Sequence, residues 1–178
     1  MPAKDLLFDL NTLDPNHVAA DLEAIRRVNA QRFEMEQLTA ISLIDMERKV
    51  CIGYKDVGPN EFWVRGHMPG RPLMPGVVML EAAAQLASYF SFQFLDLTRE
   101  KSIIGFGGLD EVKFRDPVFP GDRLYLICKM ERMRPGKMFV CRFQGVVQGE
   151  IAVEGVLKGV AIPESALSAH ARGSVASP

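Results

Sequence analysis

Cysteine, histidine and net charge are all in short supply in this chain, and each shortage argues against a class of function. The three cysteines, Cys51, Cys128 and Cys141, are odd in number and lack any CxxC spacing. A disulfide framework and a zinc cluster are therefore not expected, and free thiols in a reducing cytoplasm are the default. Histidine occurs three times, with His17 near the start and His170 in a small-residue tail. Only His67 lies in the body of the chain, so no metal site, and no cofactor, is expected. The formal net charge is -1 and there is no basic run, which gives no electrostatic footprint for nucleic acid or a membrane surface. The first residues carry no signal-peptide core, consistent with a cytoplasmic protein.

What is present suffices for one ordinary domain. A chain of 178 residues, 48% hydrophobic and 24% charged, can bury a proper core and has a soluble globular composition. Asp14-Pro15 reads as an N-cap followed by proline at the first helical position. Val18, Leu22, Ile25 and Val28 then recur at helical spacing, predicting a helix over 15–29. Short strands are expected at 38–44, 50–55 and 61–64, with turns between them.

From Gly76 to about Leu95 the chain is apolar all round, the pattern of a buried helix. Its length approaches a bilayer span, but Glu81 and the absence of basic flanks argue against one. Glu81, Gln85 and Ser88 fall at i, i+4 and i+7 and form one narrow polar stripe. After Gly105–Gly108 the pattern becomes β-rich, with strands expected at 112–115, 124–133, 138–147 and 151–162. The last three read as an antiparallel meander. These elements predict a single α+β domain over residues 1–163, a sheet wrapped on a long helix. Residues 164–178 are expected to be a disordered tail.

Chemistry concentrates between His67 and Glu81, fourteen positions apart at the ends of GHMPGRPLMPGVVMLE. A carboxylate inside a buried helix is costly unless it is paired or used. An imidazole beside it would place two proton-transfer groups at one apolar site. Gly76 opens the helix, so its N–H is an unpaired donor at the positive end of the dipole. Such a donor suits a carbonyl oxygen that gains negative charge. The three groups fit removal of an α-proton beside a thioester carbonyl with loss of a β-hydroxyl as water. Plainer readings stand beside this one: a hydrogen-bonded turn histidine, a carboxylate favoured by the helix dipole, a glycine that permits close packing.

The stretch GHMPGRPLMPGVVMLEAAAQ resembles the signature of the β-hydroxyacyl-acyl-carrier-protein dehydratases, hotdog-fold enzymes of type II fatty-acid synthesis. Lys55–Glu61 and Val112–Asp122 match in the same order and spacing, and the resemblance covers roughly Ile25 to Ile162. It implies a hotdog fold, His67 and Glu81 as the catalytic pair, and Gly76 and Gln85 as substrate-binding residues. The helix glutamine is expected to support the site without doing chemistry. The resemblance further implies a thioester substrate on acyl carrier protein and an acyl tunnel beside the helix. It also implies a homodimer whose site pairs His67 of one subunit with Glu81 of the other, trimers of dimers being common among such proteins.

This chain departs from its relatives at Met68, where an aromatic is usual, and at Ala30–Met35, where Pro-His-Arg-Tyr-Pro-Phe is common. Two alternatives remain open at this point. One is an acyl thioesterase on the same fold, and the other is a non-catalytic partner subunit of a dehydratase.

Overall fold

The computed structural model describes residues 6–94, 102–163 and 165–166. Uninterrupted apolar runs in two strands, Val50-Cys51-Ile52 and Leu124 to Cys128, indicate a sheet covered on both faces. The structure bears this out. Strands β1 (Ala40–Asp45), β2 (Val50–Asp56), β3 (Ser102–Phe114), β4 (Arg123–Arg134), β5 (Met138–Val147) and β6 (Glu150–Pro163) form one antiparallel sheet. Their spatial order is β1-β2-β4-β5-β6-β3, so β4, β5 and β6 are the meander the pattern predicts.

One helix, Gly76–Phe92 (here α2, following the short α1 at Leu22–Arg26), lies on the inner face of this sheet. Its residues Ala82, Ala83, Leu86, Ala87 and Phe90 are wholly buried with Cys51, Leu124, Leu126, Cys128, Cys141 and Phe143 of the strands. The small alanines let the helix axis approach the strands closely. Gly53 of β2 does the same, since a Cβ there would lie 3.1 Å from Leu86 Cδ1 and 3.1 Å from the Ala40 carbonyl oxygen. This is the α+β hotdog arrangement, a sheet curled on a helix.

The opposite face of the sheet holds a smaller apolar cluster, Val50, Ile52, Ile127, Val146 and Ile151. The N-terminal residues Leu6, Leu7, Phe8, Leu10 and Leu13 pack against it. The Leu7 N–H donates to Gln144 Oε1 of β5 at 2.8 Å. The sequence reading gave this segment no role.

Several boundaries differ from expectation. The predicted 15–29 helix shrinks to α1, capped by Asp21, whose carboxylate accepts from the Ala24 N–H at 2.8 Å. The earlier residues are committed elsewhere. Asp14 forms a turn to Asn16 (2.9 Å), while the N–H groups of Ala19 and Ala20 donate to the Ile41 carbonyl beside β1.

The expected strand at 61–64 is instead a turn, with the Val64 N–H donating to the Glu61 carbonyl at 3.0 Å. Glu61 is drawn back to Lys55, Nζ to Oε1 2.9 Å. The run Gly105–Gly108, after which the β-rich pattern is expected to begin, already lies inside β3. A Cβ on Gly105 would meet Ile162 Cδ1 at 2.6 Å and one on Gly107 would meet Val160 Cγ1 at 2.9 Å. These glycines admit β6 side chains over the edge strand, a use of glycine within strands that local pattern does not separate from a turn. The expected tail, apart from residues 165–166, lies outside the described residues.

Candidate active site

Three loops meet at one end of the sheet, where the chain leaves β2, enters α2 and returns to β4. The Val57 N–H donates to the Asp122 carbonyl (2.9 Å), Gly121 N–H to Val57 (2.8 Å) and Met74 N–H to Val118 (2.9 Å). Lys55, 7% exposed, and Glu61, 16% exposed, form an ion pair beneath them. Trp63, 4% exposed, anchors the next turn, and its carbonyl accepts from the N–H groups of Gly66 and His67. The prolines and glycines of the segment thus serve a frame tied together by backbone hydrogen bonds.

His67 hangs on that frame by backbone and ring alike. Its carbonyl accepts from the Leu73 N–H at 2.8 Å, and its ring Nδ1 lies 2.8 Å from the Leu73 carbonyl oxygen. A carbonyl only accepts, so Nδ1 carries the proton and Nε2 is left with its lone pair. That tautomer makes Nε2 a base. The ring is half-buried, and Met68 beside it is 55% exposed.

Gly76 begins α2 directly after Pro75, whose carbonyl accepts from the N–H groups of Val78 and Met79. Among the described residues the Gly76 N–H has no acceptor, as expected for a first-turn donor. A Cβ at Gly76 would stand 2.6 Å from the Phe114 ring, so glycine is required for that ring to lie against the helix start.

Glu81, one turn further along, is half-buried and held by two amides. Gln85 Nε2 donates to its Oε1 at 2.8 Å and Gln31 Nε2 donates to the same oxygen at 3.2 Å. Among the described residues Oε2 accepts no hydrogen bond. Gln85 itself is 2% exposed and doubly tied to the backbone. Its Oε1 accepts from the Gln37 N–H (2.9 Å), and its Nε2 also donates to the Met35 carbonyl (2.6 Å). Both amide hydrogens are spent inside the chain, so Gln85 stands behind Glu81 and has no N–H left to offer a ligand.

Segment 35–37, which fixes Gln85, is in turn fixed by Arg26. Its guanidinium forks onto Glu36 with Nε–Oε1 2.6 Å and Nη2–Oε2 2.8 Å. That hydrogen bond holds the Glu36 carboxyl below the usual carboxylate range.

The structure therefore brings Gly76, Glu81 and Gln85 onto one helix, and His67 onto the loop that feeds it. Within one chain no hydrogen bond joins His67 to Glu81. The arrangement offers a base, a backbone donor for developing negative charge, and a carboxyl group with one free oxygen. Nucleophilic chemistry at cysteine is disfavoured, because burial pushes the Cys51 and Cys141 thiols well up. Among the described residues no three His, Cys, Asp or Glu side chains converge as a metal site would require. No helix there is long and apolar enough to cross a membrane. Gln31 and Gln37 escaped sequence reasoning. Their only signal was that a buried carboxylate needs donors, and local spacing does not say which distant amides supply them.

Comparison with known proteins gives a consistent result. The family model described as the FabA-like domain matches residues 29–156. A relative from Albidiferax ferrireducens, 3-hydroxyacyl-[acyl-carrier-protein] dehydratase FabZ, is 37% identical over 143 residues, covering 80% of this chain and 94% of its own. The protein of the same name from Variovorax paradoxus is 38% identical over 141 residues, covering 77% and 91%.

Among solved structures, the dehydratase heterocomplex ApeI:P from Xenorhabdus doucetiae superposes with a TM-score of 0.66 at 15% identity, over 81% of this chain and 94% of that one. A mutant of thioesterase PA1618 from Pseudomonas aeruginosa gives 0.61 at 14% identity, over 82% and 96%. At such identities the structures share the fold alone.

Proposed function

The chain belongs to the FabA-like family, and from that premise we propose that it dehydrates a (3R)-3-hydroxyacyl thioester carried on acyl carrier protein, in fatty-acid or related acyl-chain biosynthesis. The observation that carries the site assignment is the His67 Nδ1 bond to the Leu73 carbonyl, which reserves Nε2 as base. Nε2 removes the proton from C2, and the electron pair of that C–H bond becomes the new C2–C3 double bond. Charge gathering on the thioester carbonyl is met by the Gly76 N–H at the helix start. Oε2 of Glu81 gives its proton to the 3-hydroxyl, the C3–O bond breaks, and water leaves. The products are the trans-2-enoyl thioester and water. An imidazolium and a carboxylate remain, and a proton returned from His67 to Glu81 through solvent or substrate resets the pair.

The same reading makes the working unit at least a homodimer, with His67 of one chain facing Glu81 of the other. It is supported by β3, an edge strand of thirteen residues that exposes Phe106 (49%), Leu109 (36%) and Phe114 (53%). An unpaired edge with apolar side chains is a template for a second copy. The three free, buried thiols suit a reducing cytoplasm.

The test is to incubate the purified protein with a 3-hydroxyacyl carrier-protein thioester and follow enoyl absorbance and free thiol together. Enoyl absorbance without thiol release supports dehydration. Thiol release without enoyl formation would replace it with thioester hydrolysis.

A further inference from the structure

We infer that Gln31 is a positioning residue for the acid, clamping Oε1 of Glu81 together with Gln85 so that the transferable proton resides on Oε2. The inference rests on the assignment of Glu81 as the acid and deepens it.

A protonated carboxyl group has one oxygen that only accepts and one that donates. An oxygen already receiving N–H donors is the poorer place for the proton. Here two amide N–H groups point at Oε1, at 2.8 and 3.2 Å. Gln85 cannot flip, because the Gln37 N–H on one side and the Met35 carbonyl on the other fix which end is nitrogen.

The place of Gln31 is also built. Arg32 donates to the carbonyls of Arg26 (2.8 Å), Asn29 (2.8 Å) and Gln31 itself (2.5 Å), tying the chain into a tight bend. Asn29, 5% exposed, donates to the Gln85 carbonyl at 2.9 Å and pins that bend to α2. A surface loop meeting Glu81 by accident would not need two such tethers.

Gln31→Met keeps the length of the side chain and removes its donor, and Gln31→Glu sets a second carboxylate against the first. Carbon-13 carboxyl labelling would follow the Glu81 titration, assigned by its loss in Glu81→Gln. A carboxyl that loses an N–H donor holds its proton more tightly, and a like charge strengthens that further. The Glu81 titration is therefore expected to move to higher pH in Gln31→Met and further in Gln31→Glu, with the folded circular-dichroism signal unchanged. The kcat of Gln31→Met should fall about tenfold, the rate equivalent of one hydrogen bond to a charged group. Its KM should stay within about twofold, since uniform binding is untouched.

Wild-type titration and kcat in both folded Gln31 variants, with Glu81→Gln inactive, would overturn the inference and leave the acid assignment standing. Full activity in Glu81→Gln would remove the acid assignment and this inference with it. Should Gln31→Met fail to fold, the Gln31→Glu titration alone decides.

Discussion

The role proposed for His67 turns on one hydrogen bond, from its ring Nδ1 to the Leu73 carbonyl. Among the described residues the other ring nitrogen has no hydrogen-bond partner. His67→Ala and Glu81→Gln are each expected to lower kcat by roughly two to four orders of magnitude with the fold retained, checked by initial rates beside circular dichroism. Because the proposed mechanism needs a neutral imidazole and a protonated carboxyl together, kcat/KM should fall on both sides of a bell whose limbs belong to the pair. A flat profile in folded protein would show that other groups transfer the protons. Lys55 makes a separate prediction. It is 7% exposed and its ion-pair partner is Glu61, so Glu61→Ala strands a buried ammonium. A loss of about 3 kcal/mol is expected in urea denaturation. At this scale the sequence made His67, Gly76 and Glu81 legible, because each lies within one short segment whose chemistry is local. Gln31 was not legible. It lies fifty positions from Glu81, and only the tertiary fold brings the two together.

Secondary elements were legible where hydrophobic period and burial agree. Helix α2 and strands β4 to β6 answer to their patterns because each spends its apolar face on the shared core. The predicted 15–29 helix did not survive because Ala19 and Ala20 spend their N–H groups on the Ile41 carbonyl, a tertiary demand that outweighs weak helix propensity. Segment 35–37 also carries a pH dependence. Arg26 holds the Glu36 carboxyl below its usual range, so the fork stabilises the fold above the ordinary carboxylate range and is lost as pH falls through the lower, folded value. Glu36→Gln should therefore flatten the acid limb of a stability-versus-pH curve, measured by thermal melting, while leaving the curve near neutrality parallel to wild type. The N-terminal cover gives a third test at this scale. Removing residues 1–13 would bare Ile52, Ile127, Val146 and Ile151. A lower melting temperature and increased scattering are expected, with kcat/KM of the remaining folded protein within about threefold of wild type, because the cover lies on the sheet face opposite α2.

In the whole molecule one chain carries both residues of the proposed pair without joining them. His67, the proposed base, sits on the loop before α2 and Glu81, the proposed acid, inside it; no hydrogen bond connects the two, and β3 is an edge strand with exposed apolar side chains. The measurement that tests this account most directly is to mix separately purified His67→Ala and Glu81→Gln proteins under conditions that exchange subunits, then follow enoyl formation from a 3-hydroxyacyl carrier-protein thioester. Random pairing makes half of the dimers mixed, each with one intact composite site, so about a quarter of wild-type activity should return. Mixtures that stay as inactive as either parent, in dimers shown to have exchanged, would contradict a dehydration site shared between two chains.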